Sequence, residues 1–125
     1  VYTAEQAGLP DEPPQLFGAL PDLPKEEVLQ IQRRFGPESG LARGQRKRGI
    51  GVSKRSILCP ILFLGAQHGE SIGFGISSRA TQKMARYFNG KFKLIKGSSH
   101  LGILLGTYSK DVAREIQQWL KEQFT

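Results

Sequence analysis

The sequence predicts an α/β fold built on one parallel βαβα unit. Three observations carry that prediction. First, Ile57–Gly65 is a short apolar run of the kind found in strands buried on both faces, and Phe92–Ile95 is a second short strand candidate. Second, two stretches repeat apolar residues at helical spacing: Ile76, Ala80, Met84 and Phe88, then Val112, Ile116, Trp119, Leu120 and Phe124. Third, these segments alternate as strand, helix, strand, helix, the order of a parallel pair with a crossover helix and a covering helix.

Residues 1–24 precede this unit and carry Gly8, Pro10, Pro13, Pro14, Gly18, Pro21 and Pro24. Prolines remove donors and disfavour helix before them, so an irregular path is expected. Pro24 then suits a first helical position, with Asp22 near the cap, Glu26 and Glu27 in the first turn, and Val28, Ile31 and Phe35 as a narrow apolar stripe. Gly36–Pro37 stops that helix. A further helical stretch is expected around Ser39–Lys47, with a loop after it at Gly49 and Gly51. The chain therefore divides into an irregular and helical, lid-like segment, residues 1–55, and a βαβα part, residues 56–125.

Within the second part, Pro60 stands near the start of the first strand, where a missing donor is tolerable. A glycine-rich loop spans Gly65–Gly75. The first core helix has Ser77 or Ser78 as a cap and stops at Asn89–Gly90. The loop Lys96–Thr107 holds His100, and the last helix begins near Ser109. Two parallel strands do not make a stable buried sheet, because parallel strands are covered on both faces and sheets usually have four to six strands. The expectation is a second polypeptide completing the sheet, or a homo-oligomer formed through the sheet edge.

Charge is unevenly spread over the 125 residues. Residues 1–42 hold three Lys/Arg against seven Asp/Glu, and residues 43–125 hold fifteen against four. The densest basic stretch is Arg43, Arg46, Lys47, Arg48, Lys54 and Arg55. It could contact phosphate backbones, but no aromatic residue is interleaved to stack on bases, so nucleic acid is not the expected partner. No run approaches the ~20 apolar residues of a membrane helix, and no basic start followed by an apolar core marks a signal peptide. A cytoplasmic location and no membrane partner are expected. The single cysteine, Cys59, excludes an internal disulfide and a multi-cysteine zinc site; its apolar surroundings suggest a buried, inert thiol. His68–Gly69–Glu70 fits the H-x-E of zinc deaminases, but the P-C-x-x-C that would complete the metal site is missing. The Gly65–Gly75 loop lacks the Lys–Ser/Thr of a P-loop. No cofactor and no metal are expected.

Several segments, taken in order, resemble the α/β-hydrolase family. Cys59–Pro60–Ile61–Leu62–Phe63–Leu64–Gly65 is similar to the late strand that leads to that family's acid loop. Phe92–Lys93–Leu94–Ile95–Lys96–Gly97–Ser98–Ser99–His100 is similar to its final strand and histidine loop. The helix with Trp119–Leu120 resembles its last helix, and Pro24–Arg48, including Pro37–Glu38–Ser39, looks like part of a lid. The likeness covers residues 56–125 well and 20–55 loosely. It implies a partial α/β-hydrolase fold and a C-terminal portion of a serine hydrolase of esterase type, acting on a small acyl substrate.

In that family the triad runs nucleophile, acid, histidine, with the nucleophile on a G-x-S-x-G elbow. Gly49–Ile50–Gly51–Val52–Ser53 has the wrong register for that elbow, and the nucleophile is expected on an N-terminal half. The resemblance makes His100 the general base that takes the nucleophile's proton and returns it to the leaving group. The acid stays open. Glu70 is the only acidic residue between Glu38 and Asp111 and could orient His100. The acid could instead come from an earlier strand of the absent half, or be missing altogether. The alternatives to a hydrolase half are a non-catalytic, hydrolase-like interaction module and, less favoured, a basic nucleic-acid-binding module.

Overall fold

A computed structural model describes residues 20, 22–34, 40–49, 51–70 and 76–124. In chain order the elements are α1 (Lys25–Arg33), α2 (Gly40–Arg48), a 3₁₀ turn (Lys54–Ser56), β1 (Leu62–His68), α3 (Ser78–Tyr87), β2 (Lys91–Ser99), the short α4 (Gly102–Leu105) and α5 (Ser109–Phe124). The fold is mixed α/β, with β1 and β2 forming a parallel pair in which Leu62 lies opposite Lys91 and Ala66 opposite Ile95. The expected irregular path before Leu20, the Pro37–Ser39 segment and positions 71–75 of the glycine-rich loop lie outside the described residues.

Strand alternation puts successive side chains on opposite faces, and in-register neighbours share a face. Phe63 stacks on Phe88 with ring centroids 6.2 Å apart. A Cβ at Gly65 would lie 2.7 Å from the Phe92 ring and 3.5 Å from Ser78 Cα. Phe63, Gly65 and Phe92 therefore face α3. On the other face Lys93 pairs with Glu115 at 2.8 Å and Lys91 with Glu122, both partners on α5. Leu62 and Trp119 line the same groove there. The sheet is thus layered between α3 and α5, which is why β1 is apolar on both faces.

Helix α3 is bounded by its own chemistry. The Ser77 side chain accepts the Ala80 N–H at 3.1 Å, as an N-cap does. At the far end Asn89 takes φ 55°, and the Gly90 N–H donates to the Ala85 carbonyl at 2.8 Å. That is a Schellman stop with asparagine in the left-handed position. The buried face centres on Thr81 and Ala85, with Met84 and Phe88 half-buried beside it. Ile76, read from the sequence as the head of the stripe, lies before the helix and is exposed.

Three expectations are corrected. The first strand begins at Leu62, not Ile57, because pairing starts where β2 starts; Leu58 is 93% exposed. Cys59 lies in that unpaired lead and is exposed, so its thiol is not buried. The second strand runs past Ile95 to Ser99, through an irregularity that sets Ala66 opposite Ile95 but His68 opposite Ser99.

The second packing centre lies at the carboxyl end of the sheet. Leu20, Leu23 and Val28 are buried together, with Ile31 and Leu101 packed against them. The N-terminal helical segment thus docks on the turn that follows β2.

Candidate functional site

In an open parallel sheet the carboxyl ends of the strands are where βα loops meet and ligands bind. Both sequence-predicted site residues lie on that edge. Glu70 is in the turn two residues beyond the end of β1 and is exposed; His100 immediately follows β2 and is half-buried. Because His68 and Ser99 are opposite one another, the two turns sit on adjacent strand ends. No hydrogen bond or ion pair joins Glu70 to His100. Catalytic hydrogen bonds are often long or absent before a complex forms.

The path to His100 is shaped by a bulge. Gly97 has φ 75°, and its N–H donates to the Gln67 side-chain oxygen at 2.7 Å. A side chain at 97 would meet the Tyr108 ring, with its Cβ 2.7 Å from Cζ. The bulge turns the end of β2 so that Ser98 and Ser99 are fully buried and His100 begins the turn. Bulges are over-represented beside active sites because they re-aim a side chain.

The turn is braced from the N-terminal segment. Asp22 is buried, and its Oδ2 accepts the Ser99 N–H at 2.8 Å. Its main-chain oxygen accepts the Thr107 N–H at 3.2 Å and the Thr107 hydroxyl at 3.3 Å. Ser99 Oγ in turn accepts the Gly102 N–H at 3.0 Å. A Cβ at Gly102 would overlap the Asp22 carboxylate, so glycine here is a matter of space. Asp22 Oδ1 is buried without a hydrogen-bond partner among the described residues. Sequence reading placed Asp22 near the cap of α1. The structure instead uses it 77 residues away, at the neighbour of His100. Its flanks, Leu20 and Leu23, carried a faint signal of burial, but nothing in the sequence named its partner.

Beside the histidine turn, an open cleft of about 360 Å³ is lined by Gln67, His68, Gly69, Glu70, Ser77 and Ser78. It joins the end of β1 to the N-terminus of α3. His100 is not in its wall, so Glu70 and His100 border the same sheet edge without sharing this cleft.

Of the basic stretch, Arg48, Lys54 and Arg55 are exposed. The fold supplies the aromatic neighbour that the linear sequence lacked: Lys54 Nζ lies 5.6 Å from the centroid of Tyr87. The contact is a cation–π pair on a tyrosine that stays 57% exposed. Among the described residues no group of three or more His, Cys, Asp or Glu is arranged to hold a metal ion, and no helix is long and apolar enough to cross a membrane.

No family model, no curated protein and no solved structure matches this chain.

Proposed function

We propose that this chain is the C-terminal portion of an α/β-hydrolase-type serine hydrolase, in which His100 is the general base. One observation carries the reading: a half-buried histidine turn at the carboxyl end of a parallel pair with a helix on each face. The G-x-S-x-G spacing occurs once in the sequence, at Gly69–Glu70–Ser71–Ile72–Gly73 in the loop read here as the acid loop. This reading places the nucleophile and its oxyanion donors on an N-terminal half, on the same or a separate polypeptide that completes the sheet; a homo-oligomer joined through the sheet edge is the other way to complete it. His100 takes the hydroxyl proton of that nucleophile during attack on an acyl carbon, then returns it to the leaving group. Glu70, in the turn after the neighbouring strand, is the candidate carboxylate to orient the imidazolium. The substrate class is a small ester or related acyl compound, and the setting is cytoplasmic.

The lack of any bond between Glu70 and His100 favours a second reading, a non-catalytic interaction module that retains the architecture. The two are separated by native mass spectrometry of the purified protein, followed by labelling with a fluorophosphonate probe. A serine hydrolase shows a labelled nucleophile, on this assembly, that is lost in His100→Ala. Labelling that survives the substitution removes His100 from the mechanism. A stable monomer of these 125 residues that never labels supports the interaction module.

A further inference from the structure

Asp22 is the buried acidic group among the described residues, and its ties converge on one turn. Its side chain holds the amide of Ser99, immediately before His100. Its main-chain oxygen holds Thr107, on the far side of α4. One residue thus closes both ends of the 99–107 segment. Its neighbours Leu20 and Leu23 bury themselves in the cluster against which Leu101, the residue after His100, is packed. The chain makes room for the carboxylate by having no side chain at Gly102 and Gly106, where a Cβ would overlap the carboxylate or lie 2.8 Å from the Asp22 carbonyl oxygen.

We infer that Asp22 is a positioning residue for His100: it fixes the backbone on both sides of the histidine and so sets the direction of the imidazole. It acts through Ser99 rather than on the ring. The inference rests on the reading of His100 as a functional histidine, but the geometry it concerns exists without any substrate. A carboxylate serves here because it presents an acceptor on a short, two-torsion side chain. An asparagine can present the same acceptor, whereas alanine cannot. The docking of the N-terminal segment and the aim of the histidine are therefore one structural event. Displacing Leu20–Arg33 would release Ser99 and Thr107 together.

The test is amide hydrogen exchange and imidazole ¹⁵N NMR on the whole chain, comparing Asp22→Asn with Asp22→Ala. In Asp22→Asn the Ser99 amide keeps its protection and the His100 ring signals keep their positions. In Asp22→Ala the Ser99 amide exchanges at least tenfold faster and the His100 ring signals move, while Ile95 in the sheet keeps its protection. Loss of Ser99 protection with unmoved His100 signals would overturn the inference, because the brace would then not aim the histidine. Unchanged Ser99 protection in Asp22→Ala would overturn it as well. Should Asp22→Ala fail to fold, Gly102→Ala expels the carboxylate by overlap; Ser99 still protected in a folded Gly102→Ala has the same negative meaning. None of these readouts uses a nucleophile or a probe. They stand or fall apart from fluorophosphonate labelling, which tests the hydrolase reading alone.

Discussion

Gly102→Ala is the substitution whose cost the structure defines most closely. An alanine Cβ there would overlap Oδ2 and Cγ of Asp22 and lie 2.9 Å from Oδ1. Gly102 does not use a positive φ, so backbone strain contributes nothing and the whole effect is steric. The carboxylate must leave its place. Ser99 is fully buried, so its amide then loses its acceptor without gaining water, which costs roughly 1–3 kcal/mol. Forcing a methyl into the packed contact adds about 1–3 kcal/mol. Better helical propensity at the start of α4 returns at most about 1 kcal/mol. The expected net loss is about 2–5 kcal/mol. In an Asp22→Ala background the obstruction is gone, and the same substitution should cost less than about 1 kcal/mol. A double-mutant cycle on these two positions therefore yields a coupling of at least about 1 kcal/mol. Urea unfolding followed by far-ultraviolet circular dichroism and by Trp119 fluorescence measures all four corners. If the two substitutions add without coupling, the carboxylate does not occupy the space over Gly102 and the brace is wrong.

Other expectations are simpler. Ser77→Ala removes the acceptor of the Ala80 N–H and should lower stability by about 1 kcal/mol, the ordinary worth of an N-cap; no change in the urea midpoint would count against the cap. The hydrogen bond from Lys91 holds the Glu122 carboxyl below its ordinary value of 4.5 against desolvation, with the Lys91 charge, a hydrogen bond from Gln118 and the Lys93 charge adding to the lowering. Because the folded value is lowered, the pair's stabilisation is present above the unfolded value and fades as pH falls through the folded one. Its size is small on so exposed a pair. A ¹³C titration should find the Glu122 midpoint below 4.5 and moving upward in Lys91→Ala; an unmoved midpoint would discard the pairing. Cys59 is exposed and should react with a disulfide reagent in the native chain as fast as after unfolding. A strongly protected thiol would restore the buried reading.

The order and type of the core elements were legible because they rest on local signals. Ser77 caps a helix, Asn89–Gly90 ends it, and apolar runs mark strands covered on both faces. The ends of the strands were less legible, for physical reasons that differ. Ile57–Pro60 has the composition of a strand, but pairing is a property of two segments, and β2, whose first amide bonds the Ile61 carbonyl, offers nothing opposite it. Lys96–Ser99 has the composition of a loop, yet the bulge at Gly97 lets β2 continue through it. For the candidate site, chain order already put Glu70 and His100 in the segments after the two parallel strands, and the structure has both at the carboxyl edge of the sheet. Asp22 was assigned to a local cap because a helix start lies three residues away, and local reasoning cannot see an acceptor used across 77 positions.

The small residues around His100 show most clearly what composition leaves open. Gly97, Ser98, Ser99, Gly102 and Gly106 have a composition common in flexible loops. In the structure each glycine marks a place where another group passes too closely for a side chain. The Tyr108 ring lies over Gly97, the Asp22 carboxylate over Gly102 and the Asp22 carbonyl over Gly106. The two serines are fully buried, and Ser99 spends its hydroxyl on the Gly102 amide. A segment selected for flexibility would carry its glycines in open space, as Gly51 does, where an added Cβ meets nothing within 4 Å. The histidine turn is built the opposite way. Its glycines lower the bulk of the chain so that an aromatic ring and a buried carboxylate can grip it. Glycine therefore stands in open space at Gly51 and in a clamped support at His100, and only the neighbours distinguish the two.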